Sequence, residues 1–347
     1  MPVSNPPDDE GSRSPRPRPT PPPGKPLPLF WLLLRDRPAV VFGAIALLLV
    51  LGTVAVVTMF NRAPAQNGAE NAAEGGAVSP GTIGPPAPGR SMCVAAPSSC
   101  GLPDASNTGV PAGTSLTVVN GDVTIDQPGA VVENQDIRGC VVVSASGVTI
   151  RNTRITGGCD DVVQMRGALD AAGSARLTIQ DSEISCGGEP HSGIGDNNVN
   201  LLRVGISGCE NGLDIDNHFA VQDSYIHDLV TCCGAHTDGA QLNAEGTDIR
   251  FIHNSIISAV PGGTSAIIMH TEAGNSHVLV QNNLLAGGAY ILYCPRVPST
   301  DIRVVGNRFG PAGPGSGGAQ YGATDACDGI SEFADNIWDA TGNPVTS

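Results

Sequence analysis

One spacing, repeated along the body of the chain, decides what this sequence can fold into. An apolar residue, a second two positions on and a third seven positions on recur at Val148/Ile150/Ile155, Leu177/Ile179/Ile184, Val199/Leu201/Ile206 and Phe219/Val221/Ile226. The pattern continues at Ile249/Phe251/Ile256, Val278/Val280/Leu285 and Ile302/Val304/Phe309, with weaker members at Ala130/Val132/Ile137 and Ile330/Ile337. Successive starts lie 29, 22, 20, 30, 29 and 24 residues apart. A repeat of about 20–30 residues is the mark of a solenoid, and a solenoid tolerates uneven spacing because extra residues leave as loops while the stacked part keeps register.

Residue types choose among solenoids. Val148-Thr-Ile-Arg-Asn and Leu177-Thr-Ile-Gln-Asp alternate with period two, as strands do. Asn or Asp four or five positions after the start (Asn152, Asp181, Asp223, Asn254, Asn282, Asn307) suits a bend, where a short polar side chain tolerates left-handed backbone. Helical repeats would need apolar spacings of three and four, and the chain's 45 glycines would be costly in helices. The Leu-x-x-Leu-x-Leu string of leucine-rich repeats is absent. The expected fold is all-β: a parallel β-helix of about eight or nine coils over residues 93–347.

The N-terminal quarter is different. Residues 1–37 are Pro-rich and hold six of the 18 basic residues, so they are expected to be disordered. Residues 38–60, PAVVFGAIALLLVLGTVAVVTMF, carry no charge. At about 1.5 Å per residue they can cross a hydrocarbon core of about 30 Å as one transmembrane helix. The basic cluster before them places the N-terminus in the cytoplasm and the body outside the cell membrane. Ala63-Pro64-Ala65 also fits a signal-peptidase site, so cleavage after Ala65 is the alternative to a retained anchor; the length of the apolar run favours the anchor. Residues 61–92 are a Gly/Ala/Pro-rich stalk. All ten cysteines follow the apolar run, which reads as a disulfide set in an oxidising compartment. A metal cluster is the rival reading, but no C-x-x-C repeats. The expected local pairs are Cys93 with Cys100 and Cys294 with Cys327; the others are not assigned.

GVTIRNTRITGG, LTIQDSEISCGG and IRFIHNSIIS resemble the repeats of the pectin-lyase-like superfamily of right-handed parallel β-helices. PDASNTGVPAGTSLT and His236-Thr-Asp-Gly-Ala-Gln241 resemble secreted β-helix proteins of actinobacterial type. The resemblance spans roughly residues 100–340 and implies the right-handed β-helix. It implies no single reaction, because the superfamily holds lyases, hydrolases, epimerases and non-catalytic fibres.

Each coil should carry a further strand, and Val162–Arg166, Gly212–Asp216, Gly239–Asn243, Ala266–His270 and Tyr290–Cys294 align as such; Gly193–Asn197 fits less cleanly. Alternation sends Leu213, Ile215, Ala240, Leu242, Ile267 and Met269 inward. It sends Asp216, Asn243 and His270 outward in one column and Asp214 and Gln241 in the next, with His218, His236, Asp238 and Glu272 on flanking turns. Such a face suits a polysaccharide. Asp214 and Asp238 are the candidate catalytic acids, and His236 or His270 the proton-transfer partner. Asp216, Gln241, Asn243, Glu272 and Arg166 are the candidate substrate-binding residues. His253 and Asn254 fall at the turn and read as structural. Solvated strand faces carry polar residues without any substrate, so the same pattern also fits a plain scaffold.

Asp214, Asp216 and Asp238 offer oxygen ligands for calcium, which the pectate-lyase branch holds between its acids and an acidic sugar. A net charge of −15 repels nucleic acid and unbridged polyuronates. Aromatic sugar platforms are scarce; Tyr225, Tyr290 and Tyr293 are the nearest. No phosphate-binding loop, nucleophile elbow or zinc motif occurs. Two classes of function stay open: an extracellular polysaccharide hydrolase or lyase, and a non-catalytic glycan-binding or structural module.

Overall fold

The computed structural model describes residues 92–166, 176–189, 191–231, 236–243, 246–271, 273–311 and 319–347. The expected cytoplasmic segment 1–37, membrane span 38–60 and almost all of the stalk lie outside the described residues, as do Cys232, Cys233 and Glu272. Among the described residues no helix is long and apolar enough to cross a membrane.

Strands β1 (Thr117–Asn120) to β28 (Ile337–Trp338) are dealt in strict rotation to three sheets of ten, nine and nine strands. Each turn of the chain gives one strand to each sheet. The third coil, for example, contributes Arg154–Thr156, Asp161–Met165 and Leu177–Gln180. Every strand pairs in parallel with its counterparts one coil before and one coil after, as at Ile155↔Ile184 and Ile150↔Ile179. This is a parallel β-helix of nine full coils.

The repeating apolar triplet explains the core. In all seven strong repeats its three members are at most 2 % exposed, and they form one column-built core. The first two positions lie in or beside the third-sheet strand and the last in the next first-sheet strand. Between them the chain turns a corner.

That corner separates two roles that the sequence reading had merged. The fourth position after each start has left-handed backbone: φ is +49° at Asn152, +50° at Asp181, +53° at Arg203, +50° at Asp223, +54° at His253, +56° at Asn282 and +69° at Gly306. These side chains face outward and pair along the column, Arg203 to Asp181 at 2.6 Å and His253 to Asp223 at 2.6 Å. The fifth position is buried and forms a ladder. The Oδ1 atoms of Asn254, Asn283, Asn307 and Asn336 each accept the backbone N–H of the ladder residue one coil earlier. Their Nδ2 groups donate to the carbonyls of Val221, Phe251, Val280 and Val304. Earlier coils use hydroxyls instead: Ser182 Oγ accepts from Thr153 N–H and Ser224 Oγ from Val204 N–H. Asn254 and Asn307 therefore belong to the ladder, and their neighbours His253 and Gly306 make the bend.

Cys93–Cys100 and Cys294–Cys327 are bonded as expected, and Cys140–Cys159 and Cys186–Cys209 are bonded as well. The last three pairs each join a coil to its neighbour. Asp122 lies against the Sγ atoms of Cys140 and Cys159, but those sulfurs are tied to each other and are not thiolate ligands.

The N-terminal residues run back over the first sheet. Cys93 and Leu102 pack on Ile257, Leu284 and Ala286, and Gly109 N–H donates to the Arg203 carbonyl at 3.0 Å. The third sheet's outer face is laced with ion pairs such as Arg151–Glu133, Arg250–Asp248 and Arg303–Asp301. The second sheet is left as the face with unspent polar groups.

Candidate functional site

The strands Asp161–Met165, Asn211–Ile215 and Asp238–Leu242 follow a five-place rule, out, in, in, out, in, which Ser192–Asp196 keeps for its first four places. In Asp161–Met165, Val162, Val163 and Met165 are buried while Asp161 and Gln164 are not. In Asn211–Ile215 and Asp238–Leu242 the second place is glycine, and a Cβ there would meet core atoms, Ile226 Cγ2 at 2.5 Å and Ile256 Cγ2 at 2.2 Å. Two outward columns result. One runs Asp161, Ser192, Asn211 and on to Asp238 and Ser265; the other runs Gln164, Gly195, Asp214, Gln241, Ile268, Tyr293, Asp325.

Acids concentrate where these columns pass coils three to six. Asp214 is held by Ser192, whose Oγ donates to Oδ2, and by Asn211, whose Nδ2 donates to Oδ1 at 3.1 Å. Gly195 leaves the place before Asp214 without a side chain, and the Asp161 carboxyl fills it: a Cβ on Gly195 would lie 2.5 Å from Asp161 Cγ. Burial, then the charges of Asp214 and Asp196, push Asp161 up to about 6. Burial and neighbouring carboxylates also raise Asp196, Asp216 and Glu210. Asn197 reaches Asp216 at 3.4 Å. Arg166 stands at the edge, its Nε donating to Gln164 Oε1 at 2.6 Å and its charge opposing the rise at Asp196. Among the described residues none of Asp161, Asp196, Asp214 and Asp216 forms an ion pair, unlike the acids of the third sheet.

Asp238 corrects the sequence reading, which put it on an exposed turn. It opens the strand Asp238–Leu242 and is 0 % exposed. Ser265 Oγ donates to its Oδ1, and its backbone N–H donates to Asn211 Oδ1 at 2.9 Å. Its Oδ2 has no hydrogen-bond partner among the described residues. Burial above all, with Asp214 and Glu210 adding, pushes Asp238 up to about 7. Between the ordinary 3.8 and that value the folded protein holds a proton the unfolded chain has released. Its stability should therefore fall as pH rises through this window and level off above it. Melting temperatures taken from pH 5 to pH 8 are expected to show that decline, and Asp238→Asn, which keeps the shape without the charge, should make it shallower, with Asp161 supplying part of the remaining slope.

The structure brings Asp214, Asp216 and Arg166 together with Asp161 and Asp196. Gln241 and Asn243 follow one coil on, joined at 2.7 Å. The two candidate histidines stand elsewhere. His236 bonds Thr264 Oγ1 at 3.1 Å and lies near Glu210. His270 lies 3.5 Å from Asp325 and edge-on to Tyr293, toward the far end of the face. Among the described residues neither makes a hydrogen bond or ion pair with Asp214. Tyr225 is on the first sheet, stacked on His227. Simple alternation missed Asp161, Ser192 and Asn211, because two consecutive inward places at the strand start shift the phase; Asp196 takes the fifth place of its strand, in register with Ile215. The run polar–apolar–apolar–polar–apolar in Asp161–Met165 was the available signal.

Asp214, Asp216 and Asp238, with Asp161 and Asp196, offer the hard oxygens calcium takes, but no three of these carboxyls have oxygens within 4.8 Å of one another, so the residues present do not gather into a calcium site. No family model matches the chain, and no curated protein or solved structure matches it.

Proposed function

We propose that this is a carbohydrate-active protein of the right-handed, pectin-lyase-like kind, tethered at the cell membrane through residues 38–60 and acting on extracellular or wall polysaccharide at the outer face of the second sheet. One observation carries the reading: the Asp161 carboxyl, pushed up to about 6, fills the gap at Gly195 next to the fixed Asp214. An acid that keeps its proton near neutrality beside a second, firmly oriented carboxylate is the pairing that glycoside hydrolysis needs. Gly195 and Asp214 are paired rungs, so the Asp161 carboxyl in the gap at Gly195 stands beside Asp214, whose charge helps to raise it. Asp161 would donate to the leaving oxygen, and Asp214, steadied by Ser192 and Asn211, would serve as nucleophile or base.

Arg166 beside Asp196 favours elimination as the second reading, since a lyase needs a cationic base near its acids. A panel of polysaccharides, with and without calcium, scored for new reducing ends and for absorbance of unsaturated products, separates the two. Asp161→Asn and Asp214→Asn should each lower turnover at least about 100-fold with the melting temperature nearly unchanged. Parent-like turnover in both variants would remove this pair from the chemistry. Binding without any product would make the protein a non-catalytic module.

A further inference from the structure

Three of the chain's four tyrosines gather on the acidic face, further along the same columns. Tyr290 and Tyr293 are the first and fourth residues of the strand Tyr290–Tyr293, the outward places, with ring centroids 5.3 Å apart. Tyr321 joins from the next coil, 5.6 Å from Tyr290, and His270 meets Tyr293 edge-on at 4.9 Å. Gly322 pairs with Tyr290 and offers no side chain there; a Cβ would touch the Tyr290 ring at 3.4 Å, so the ring lies across its rung. Tyr321 is 64 % exposed in a chain that is only 4 % aromatic. Spending scarce rings on solvent is costly unless something stacks on them. The charges at this end cancel, for Asp325 bonds Arg296 at 2.7 Å.

We propose that Tyr290, Tyr293 and Tyr321 form a sugar-stacking subsite for a neutral polysaccharide lying along the solenoid axis, with its cleavage point at the Asp161–Asp214 pair. The inference rests on the glycan reading above and fixes its substrate class. Asp214 and Tyr293 share a column three rungs apart, each rung about 4.8 Å, so a single extended glycan spans both. Tyrosine rings bind the apolar faces of pyranose units and their hydroxyls reach the sugar oxygens. A polyuronate would instead bring a negative charge with every unit onto Asp161, Asp196, Asp214 and Asp216, whose own crowding already raises Asp161. The platform asks for no charge on the sugar.

Affinity electrophoresis of the full chain in mild detergent tests this, in native gels containing xyloglucan, mixed-linkage β-glucan, or polygalacturonate with and without calcium. A neutral glycan is expected to retard the parent, Tyr321→Ala to bind about 3- to 10-fold more weakly, and Tyr293→Phe, which keeps the ring but loses the hydroxyl, to bind between the parent and Tyr293→Ala. Retardation by polygalacturonate alone, in either condition, overturns the neutral class. Equal retardation of the parent, Tyr321→Ala and Tyr290→Ala overturns the tyrosine subsite and leaves the acidic pair standing. No retardation by any glycan overturns the inference, while the product assay decides the acidic pair separately.

Discussion

Asn283→Leu should lower the unfolding free energy by about 3–6 kcal/mol, whereas Asn282→Gly, one residue earlier, should change it by less than about 1 kcal/mol. The contrast follows from the corner. Asn283 Oδ1 accepts from Asn254 N–H at 2.8 Å and from Asn254 Nδ2 at 2.9 Å, and its Nδ2 donates to the Phe251 carbonyl at 2.9 Å. All of these groups are buried. Leucine has similar size but deprives the Asn254 N–H and the Phe251 carbonyl of these partners, and leaves the Asn254 amide only its bond to Val221, each loss costing about 1–3 kcal/mol. Asn282 faces out and needs only left-handed backbone, φ +56°, which glycine adopts freely and which Gly306 already supplies one coil later. Urea midpoints of the two variants measure the difference. Near-equal losses would show that the ladder contributes no more than its solvent-exposed neighbour.

Gly239→Val should be nearly as damaging, at more than about 3 kcal/mol, and loss of cooperative melting is its expected signature. The second place of the Asp238–Leu242 strand points into the core. A Cβ there falls 2.2 Å from Ile256 Cγ2 and 2.5 Å from the Ala266 carbonyl oxygen. Neither neighbour can retreat, since Ile256 is a fully buried member of the apolar triplet and Ala266 is locked in the next rung. Coils three, seven and eight carry Val162, Ala266 and Ile291 at the corresponding place, so the core is narrow only where Gly193, Gly212 and Gly239 stack. Those coils also hold Asp196, Asp214 and Asp216. Alanine at Gly239 with a parent-like melting temperature would refute the tight approach.

The fold was largely legible because its signal is redundant. Seven copies of one apolar triplet, each beginning with a period-two strand, leave little choice but stacked parallel strands, and the structure follows them coil by coil. The site was legible only in part. Register gave Asp214 and Gln241 their shared column, because apolar Leu213, Ile215, Ala240 and Leu242 flank them. Asp161 escaped because it stands before a Val-Val pair, where the corner sends two neighbours inward in succession. The burial of Asp238 escaped too, since the sequence marks which way a side chain faces but not what lies over it. His270 was drawn to Asp214 by nearness in the chain, yet it lies two coils further along the axis, beside Asp325.

The coil-to-coil disulfides have a consequence for how the chain finds its order. Near-identical segments invite mis-threading: Asn254, Asn283 and Asn307 are interchangeable rungs, and a coil docked one place out of turn would satisfy the same bonds. Cysteines are not interchangeable in this way. Where the ladder meets Val204, which has no side-chain acceptor to offer, Cys186–Cys209 joins the same two coils covalently. Cys140–Cys159 and Cys294–Cys327 mark a coil pair toward each end. The bonds thus act as page numbers in a book of similar leaves, and a chain that oxidises correctly has already been collated.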